Sequence, residues 1–238
     1  MKFEIQNNFA ALLFAKYPTP GAVMTRLCPP LSPEEAVRIQ RACMQHIWSE
    51  LTVGDWCCPV LVGSPDDALA DFPTILDPDT ADGSRMCCWP QGDGDLGERL
   101  VRASKLAFDC GARAVVFLGV DSPMQDWDVI RGLSGLLASA DVAIGPCADG
   151  GYYFLATRRH IPELFAGVDW GTSRVFEQTL SIAERLKLSV WRAESGYDLD
   201  RVEDLHRALG DLEPDCELAR TIRDVLAKSD QLTTKDSA

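Results

Sequence analysis

Asp121 directly follows the run "AVVFLGV", so a segment that reads as a fully buried strand delivers a carboxylate at its end. An ionised carboxylate beside a hydrophobic core is costly unless a cation or several donors meet it. Two roles answer that need. Asp121 could hold Mg2+ or Mn2+, hard ions that take oxygen ligands and share phosphate oxygens, or it could cap the turn that Ser122 and Pro123 open. Further along, "GPCADGGYY" places Asp149 ahead of Gly150 and Gly151. Paired glycines permit backbone close to a ligand, and Asp149 would then share the crevice of Asp121. Asp-Gly is also the strongest short hairpin signal, so a plain turn is the competing reading.

Two more stretches carry charge at useful spacing. In "PTPGAVMTRL", Gly21, Thr25 and Arg26 follow a strand. Glycine lets backbone N–H groups approach a phosphate, and arginine clamps two oxygens at once. The spacing is neither that of a Walker A loop nor G-x-G-x-x-G, and a surface turn with Arg26 in a salt bridge fits the residues equally well. In "GYDLDRVEDL", Asp198 and Asp200 lie two apart and share a face if the chain is extended; one of them is expected to cap the helix that begins near Arg201. The run "QGDGDLGERL" sets Gly94 and Asp95 before a helix, either as an acidic cap or as a glycine-rich wall for a base or sugar. His46, His160 and His206 fall in or beside helical segments without a nucleophile motif, which leaves a hydrolase triad unsupported.

The elements that would position these groups can be read from periodicity. Residues 9–15, "FAALLFA", form a buried strand. Ser32, Pro33 and Glu35 open a helix with a capping box and proline at its first position, and Ala36, Ile39, Cys43, Ile47 and Leu51 continue it at helical spacing. Strands are expected at 57–63, at 114–120, at 141–146 and at 151–157. A weaker, edge-like one is expected at "RMCCW" and a late one at "LSVWRA". Helices are expected at about 95–109, ending at Gly111, at 126–139, over "SRVFEQTLSIAERLK", and at about 201–209 and 214–227. Alternating strands and helices imply an α/β fold of three α/β/α layers with a mainly parallel sheet. Ligands in such sheets sit beyond the carboxyl ends of the strands, where the loops above converge. No linker or repeat divides the chain. The expectation is one domain over 1–228 and a flexible polar tail over 229–238.

Bulk composition narrows the partners. A net charge of −13 argues against nucleic acid, but a small phosphorylated ligand needs only local cations or a metal ion. No apolar run reaches the roughly 18 residues of a membrane span, and the start lacks the pattern of a signal peptide, which points to the cytoplasm. The nine cysteines read mostly as reduced core residues, since the neighbours Cys57–Cys58 and Cys87–Cys88 should point to opposite faces. Zinc held by both pairs is the sharper alternative, against which their spacing counts.

Taken together, the stretches "LLFAKYPTPGAVMTRL", "QGDGDLGERL", "VVFLGVDSP", "DVAIGPCADGGYYFLA", "DWGTSRVFEQTL" and "YDLDRVEDL" resemble, in order, a bacterial DUF2064-like family of glycosyltransferase type. That family has the GT-A fold and belongs with the nucleotide-diphospho-sugar transferases. The resemblance spans about 10–210. It implies a Rossmann-like sheet, a nucleotide site at the first loop, a divalent metal on Asp121, and Asp200 near that metal. The family's first loop usually reads V-K-T-R-L, and Met24 stands here at the lysine. That leaves Lys16, Arg26 and the metal to neutralise phosphate.

The resulting expectation is metal-assisted transfer from a nucleotide-activated donor to an unidentified acceptor, most simply transfer of a sugar. Lys16, Gly21, Thr25, Arg26, Gly94 and Asp95 would bind the nucleotide and its phosphates, Ser122, Gly150, Gly151 and Tyr152 would contact donor or acceptor, Asp121 and Asp200 would hold Mg2+ or Mn2+, and Asp149 would act as base alongside Asp121. A nucleotidyltransferase resembling the phospholactate guanylyltransferases, and a nucleotide-binding protein that has lost catalysis, stand as alternatives. Oligomeric state is not readable from the sequence.

Overall fold

The computed structural model describes residue 5, residues 8–76 and residues 86–235. Its strands are β1 (Phe9–Lys16), β2 (Cys58–Ser64), β3 (Cys87–Pro90), β4 (Ala114–Gly119), β5 (Val142–Pro146), β6 (Tyr152–Thr157) and β7 (Val190–Arg192). They form one sheet in the order β3-β2-β1-β4-β6-β5-β7. Pairings β1–β2, β1–β4, β2–β3 and β5–β7 are parallel, whereas β6 runs antiparallel to both β4 and β5. The mainly parallel α/β architecture is as expected, and "RMCCW" does supply the edge strand, β3. Antiparallel β6 follows from the Asp-Gly hairpin signal: Cys147–Gly151 close a hairpin between β5 and β6.

Side-chain alternation divides the core into two layers. Phe9, Ala11, Leu13 and Ala15 of β1 face one side, with α1 (Pro33–Thr52), α4 (Trp127–Leu136), α6 (Val202–Asp211) and α7 (Glu217–Lys235) covering them. Ala10 and Leu12 face the other side, under α3 (Leu96–Asp109) and α5 (Val175–Arg185). The short α2 (Phe72–Leu76) packs with the first layer. Each strand is therefore apolar on both faces, as a covered parallel sheet requires. Cys57 and Cys88 join the first layer while Cys58 and Cys87 join the second. All nine cysteines are free of disulfides, and each adjacent pair divides between the two layers, as alternation in a strand requires.

Caps fall where the sequence places them. Ser32 and Glu35 form a reciprocal capping box at α1, and Asp126 accepts from Asp128 and Val129 N–H at α4. Two expectations change. Residues 229–235, expected as tail, continue α7, because the helical pattern runs on through polar residues that periodicity alone ends early; residues 236–238 lie outside the described residues. The cap at α6 is neither Asp198 nor Asp200. Asp204 accepts from the N–H groups of Asp200 and Arg201 at 3.2 and 2.7 Å, respectively, which frees both earlier carboxylates for other work. Among the described residues no helix is long and apolar enough to cross a membrane.

Candidate functional site

Four carboxylates meet at the carboxyl edge of the sheet. Asp121 stands two residues past β4 and folds back over Gly119. A β-carbon at Gly119 would lie 2.5 Å from Asp121 Oδ1. The segment 198–200 is drawn to the same place by the Leu199 N–H, which donates to the Asp121 carbonyl at 2.8 Å. Leu199 itself is buried in the core, and the aspartates either side of it stay at the site. Asp198 accepts from the Ser122 hydroxyl and from Cys147 Sγ, the latter at 3.3 Å. Asp200 pairs with the Arg26 guanidinium. Asp149 holds an Asx turn, its Oδ1 accepting from Gly151 N–H at 2.8 Å.

The electrostatics follow from this crowding. Asp121 is raised to about 7; dehydration by the surrounding protein is the largest cause and the Asp198 carboxylate the next. Because water still reaches Asp121, repulsion from Asp198 is the cause that survives hydration. Asp198 is raised too, first by burial, against the hydrogen bonds from Ser122 and Cys147 that favour its charge. The Cys147 thiol is pushed up by burial and by Asp198, so it stays an S–H donor. Arg26 is raised by its bond to Asp200 and feels Asp149 and Asp121 beyond it. Among the described residues no lysine or arginine lies within ion-pair distance of Asp121, Asp149 or Asp198.

That set fits a hard divalent cation. Ligand atoms of Cys147, Asp149 and Asp198 lie within 4.8 Å of one another, and the Asp121 carboxylate feels the charges of Asp198 and Asp149. Carboxylate oxygens that repel one another and lack a counter-ion are the donor chemistry of Mg2+ or Mn2+. A neutral thiol would be a poor ligand for either ion and serves better to orient Asp198.

Beside Asp121 opens a cleft of about 310 Å3 lined by Lys16, Val23, Met24, Gln40 and Gly119 among others. Lys16 is exposed there with no ion-pair partner among the described residues. Gln40 donates its Nε2 to the Lys16 carbonyl at 2.9 Å, while its Oε1 has no partner. Met24 takes a left-handed backbone (φ 44°) ahead of the short 3-10 turn Thr25–Leu27. Gly21 turns the same loop at φ +77° with open space where a side chain would go, and Thr25 is exposed on it. Thus Lys16 and Asp121 line one cleft with Ala22, Val23 and Met24 of the first loop, while Gly21, Thr25 and Arg26 stand outside its lining.

Other expected residues are committed elsewhere. Ser122 is buried and its hydroxyl is given to Asp198, so it positions a carboxylate rather than meeting a ligand. Asp95 caps α3, exchanging bonds with Glu98, and Gly94 (φ +101°) makes the turn that this box needs. At Gly150 (φ +91°) a β-carbon would sit 2.0 Å from the Ser173 carbonyl oxygen. The missing side chain there admits the 173 loop, not a sugar. Tyr152 belongs to the opposite layer, its ring edge-on to Trp170 at 6.5 Å and its hydroxyl buried; the register shift at Gly145/Pro146 sends it there. Sequence reasoning missed Gly119, Cys147, Gln40 and the part played by Asp198. Only the D-x-D spacing of 198–200 signalled any of them.

Residues 55–172 match the family described as "Uncharacterized protein conserved in bacteria (DUF2064)". No curated protein matches the chain. A crystal structure from Desulfovibrio desulfuricans G20, described as a "putative nucleotide-diphospho-sugar transferase", is 28% identical, with a TM-score of 0.85 over 95% of this chain and 98% of that one. A CMP:2-keto-3-deoxy-manno-octonic acid synthetase complexed with CTP (12% identity, TM-score 0.53, 84% of this chain and 96% of that one) shares the fold. So does a 4-diphosphocytidyl-2C-methyl-D-erythritol synthase (14%, 0.54, 85% and 97%). The chain is thus similar to the DUF2064 family over residues 55–172 and, across nearly its whole length, to a protein described as a putative nucleotide-diphospho-sugar transferase.

Proposed function

We propose that the chain is a transferase that uses a nucleotide-activated donor, and that the transferred group is a sugar. The observation that carries this reading is the convergence of Asp121, Asp149 and Asp198, unpaired with any cation among the described residues, beside a cleft that Lys16 lines. Lys16 and Arg26 would bind the diphosphate, Arg26 held in place by Asp200. Asp121 and Asp198 would hold Mg2+ or Mn2+, which when bound neutralises charge developing on the leaving phosphate. Asp149 keeps Oδ1 in its Asx turn and offers Oδ2 to the acceptor. As the acceptor oxygen bonds to the anomeric carbon, the bond from that carbon to the phosphate oxygen breaks, the nucleoside diphosphate leaves, and the hydroxyl proton passes to Asp149. The likeness of the D. desulfuricans protein, across nearly the whole of both chains, supports the donor class.

Calorimetry with nucleotide sugars plus Mn2+ tests the reading. Binding heat that disappears in Asp121→Ala is the expected result, and absence of heat with every common donor would refute it. Release of pyrophosphate from a nucleoside triphosphate with a phosphorylated acceptor would instead assign nucleotidyl transfer.

A further inference from the structure

A second cleft, of about 440 Å3, opens between the segment 124–126 and the chain leaving β7, with no lining residue in common with the first. Its volume is that of a small-molecule site. The two clefts share a partition. Gly196, in the wall of the second cleft, donates its N–H to Pro146 at 2.8 Å and bridges Cys147, while Asp198 and Ser122 join across the same divide. Asp121 opens on the first cleft and Met124, three residues on, lines the second.

The wall of this second cleft contains an unused amide. Gln125 is 7% exposed, and neither its Nε2 nor its Oε1 has a partner. Stranding a buried amide is costly, and native folds seldom do it without a reason. No internal hydrogen bond holds the group under the wall surface, so turning it into the cleft breaks none. A primary amide presents donors and an acceptor side by side, which suits a pair of neighbouring hydroxyls. Half-buried Trp191 adds an apolar ring surface for the C–H face of a sugar. Arg192 and Glu194 stand on the rim, neither in an ion pair among the described residues. With Asp126 also present, the lining holds two acidic groups against one basic group, which disfavours a phosphate or carboxylate ligand.

We propose that this cleft, through Gln125, Trp191, Arg192 and Glu194, binds an uncharged hydroxyl-bearing acceptor, a saccharide ring. That it is the acceptor, rather than another ligand, rests on the transferase reading above. The donor then lies on one side of the carboxylates and the acceptor on the other, with Asp149 and Asp198 at the divide.

Saturation-transfer NMR with methyl α-glucoside, methyl α-galactoside and methyl α-mannoside tests this on the full chain. Transfer to at least one glycoside is expected with the wild type. Gln125→Leu and Trp191→Ala should each weaken its apparent affinity about tenfold or more, the size of losing two neutral hydrogen bonds or an aromatic wall. Gln125→Leu removes the stranded amide and should melt at or above the wild-type temperature, so its loss of binding would not reflect unfolding. No transfer to any of the three glycosides, or affinity undiminished by either substitution, overturns the proposal. The common nucleotide sugars, each with Mn2+, in a thermal-shift assay on the same preparations separate the two readings. Glycoside binding without nucleotide stabilisation would remove the transferase and leave a sugar site, whereas nucleotide stabilisation without glycoside binding would remove this inference alone.

Discussion

The Leu199 N–H donates to the carbonyl of Asp121 at 2.8 Å, and this backbone bond assembles the site. It lets Leu199 enter the core while Asp198 and Asp200 remain beside the carboxylate at the end of β4. Asp198 then acquires two uncharged donors, and Asp200 an arginine. The two aspartates are thereby sorted by partner. One stays crowded against Asp121, and the other is neutralised by a cation.

Crowded carboxylates should weaken the metal-free fold as they ionise. The folded Asp121 is raised from 3.8 to about 7, so its contribution to stability is complete below pH 3.8 and is lost as pH climbs toward 7. Asp121→Asn should remove that loss. Its melting temperature, measured without metal at pH 8, should exceed that of the wild type by about 2–4 °C, the response of a chain this long to roughly 1 kcal/mol. The side chain's exposure argues against more. At pH 4 the two should melt alike. Mn2+ should stabilise the wild type increasingly through this pH interval and leave Asp121→Asn nearly unmoved. Equal melting at pH 8 would show that the repulsion is not felt.

Gly119 is predicted to matter to the metal through space alone. Its added methyl in Gly119→Ala would fall 2.5 Å from Asp121 Oδ1, and the partner that must yield is an exposed, flexible carboxylate. Stability should therefore change by less than about 1 kcal/mol, while calorimetric affinity for Mn2+ falls about tenfold because the ligand oxygen is displaced. Unchanged Mn2+ affinity would mean that Asp121 is not a ligand.

Arg26 should separate binding from folding. Its pair with Asp200 is exposed, the arginine side chain at 64%, so Arg26→Ala should cost the fold about 0–1 kcal/mol. Loss of a charge-assisted contact to phosphate should cost about 1.5–3 kcal/mol, or roughly 10–150-fold, in affinity for a nucleoside diphosphate. Met24→Lys makes the complementary change. Met24 lines the cleft with Lys16 and Asp121, so an added ammonium there should tighten diphosphate binding and lower the proton affinity of Asp121. Calorimetry with UDP across both variants checks the pair of outcomes.

Much of this arrangement was legible in the sequence because it is local. Burial on both faces, helix periodicity, the Ser32–Glu35 box and the Asp-Gly hairpin each depend on residues within a few positions, and each appears where expected. Asp121 and the first loop were read to one edge because strand ends of a parallel sheet share it, and Asp121 does line a cleft with Ala22, Val23 and Met24. Asp95 and Ser122 were misjudged for the complementary reason. A carboxylate or hydroxyl near a glycine looks free until its partner is known, and those partners are Glu98 and Asp198, the second one 76 positions away. Gln91 was invisible for the same reason. Its buried amide ties β1 to β2 through the carbonyls of Ala15 and Val62 at 3.2 and 2.9 Å, and nothing in its neighbours announces that role.

The two glycines of the β5–β6 loop should answer differently to the same methyl group. In Gly150→Ala the new carbon would meet the Ser173 carbonyl oxygen at 2.0 Å, a backbone atom that cannot swing aside, and the residue would also keep φ near +91°. A left-handed non-glycine residue costs about 1–2 kcal/mol before any overlap, so the loss should exceed about 2 kcal/mol and lower the melting temperature by about 4–8 °C. In Gly151→Ala the nearest atom is Asp149 Oδ1 at 3.1 Å, the end of a movable side chain. Its stability should stay within about 1 kcal/mol, but turnover should fall because the displaced carboxylate is the proposed base. Thermal melts of both variants read the first contrast, and donor turnover by Gly151→Ala reads the second. A Gly151→Ala protein with full turnover would take Asp149 out of the chemistry, whatever the melts show.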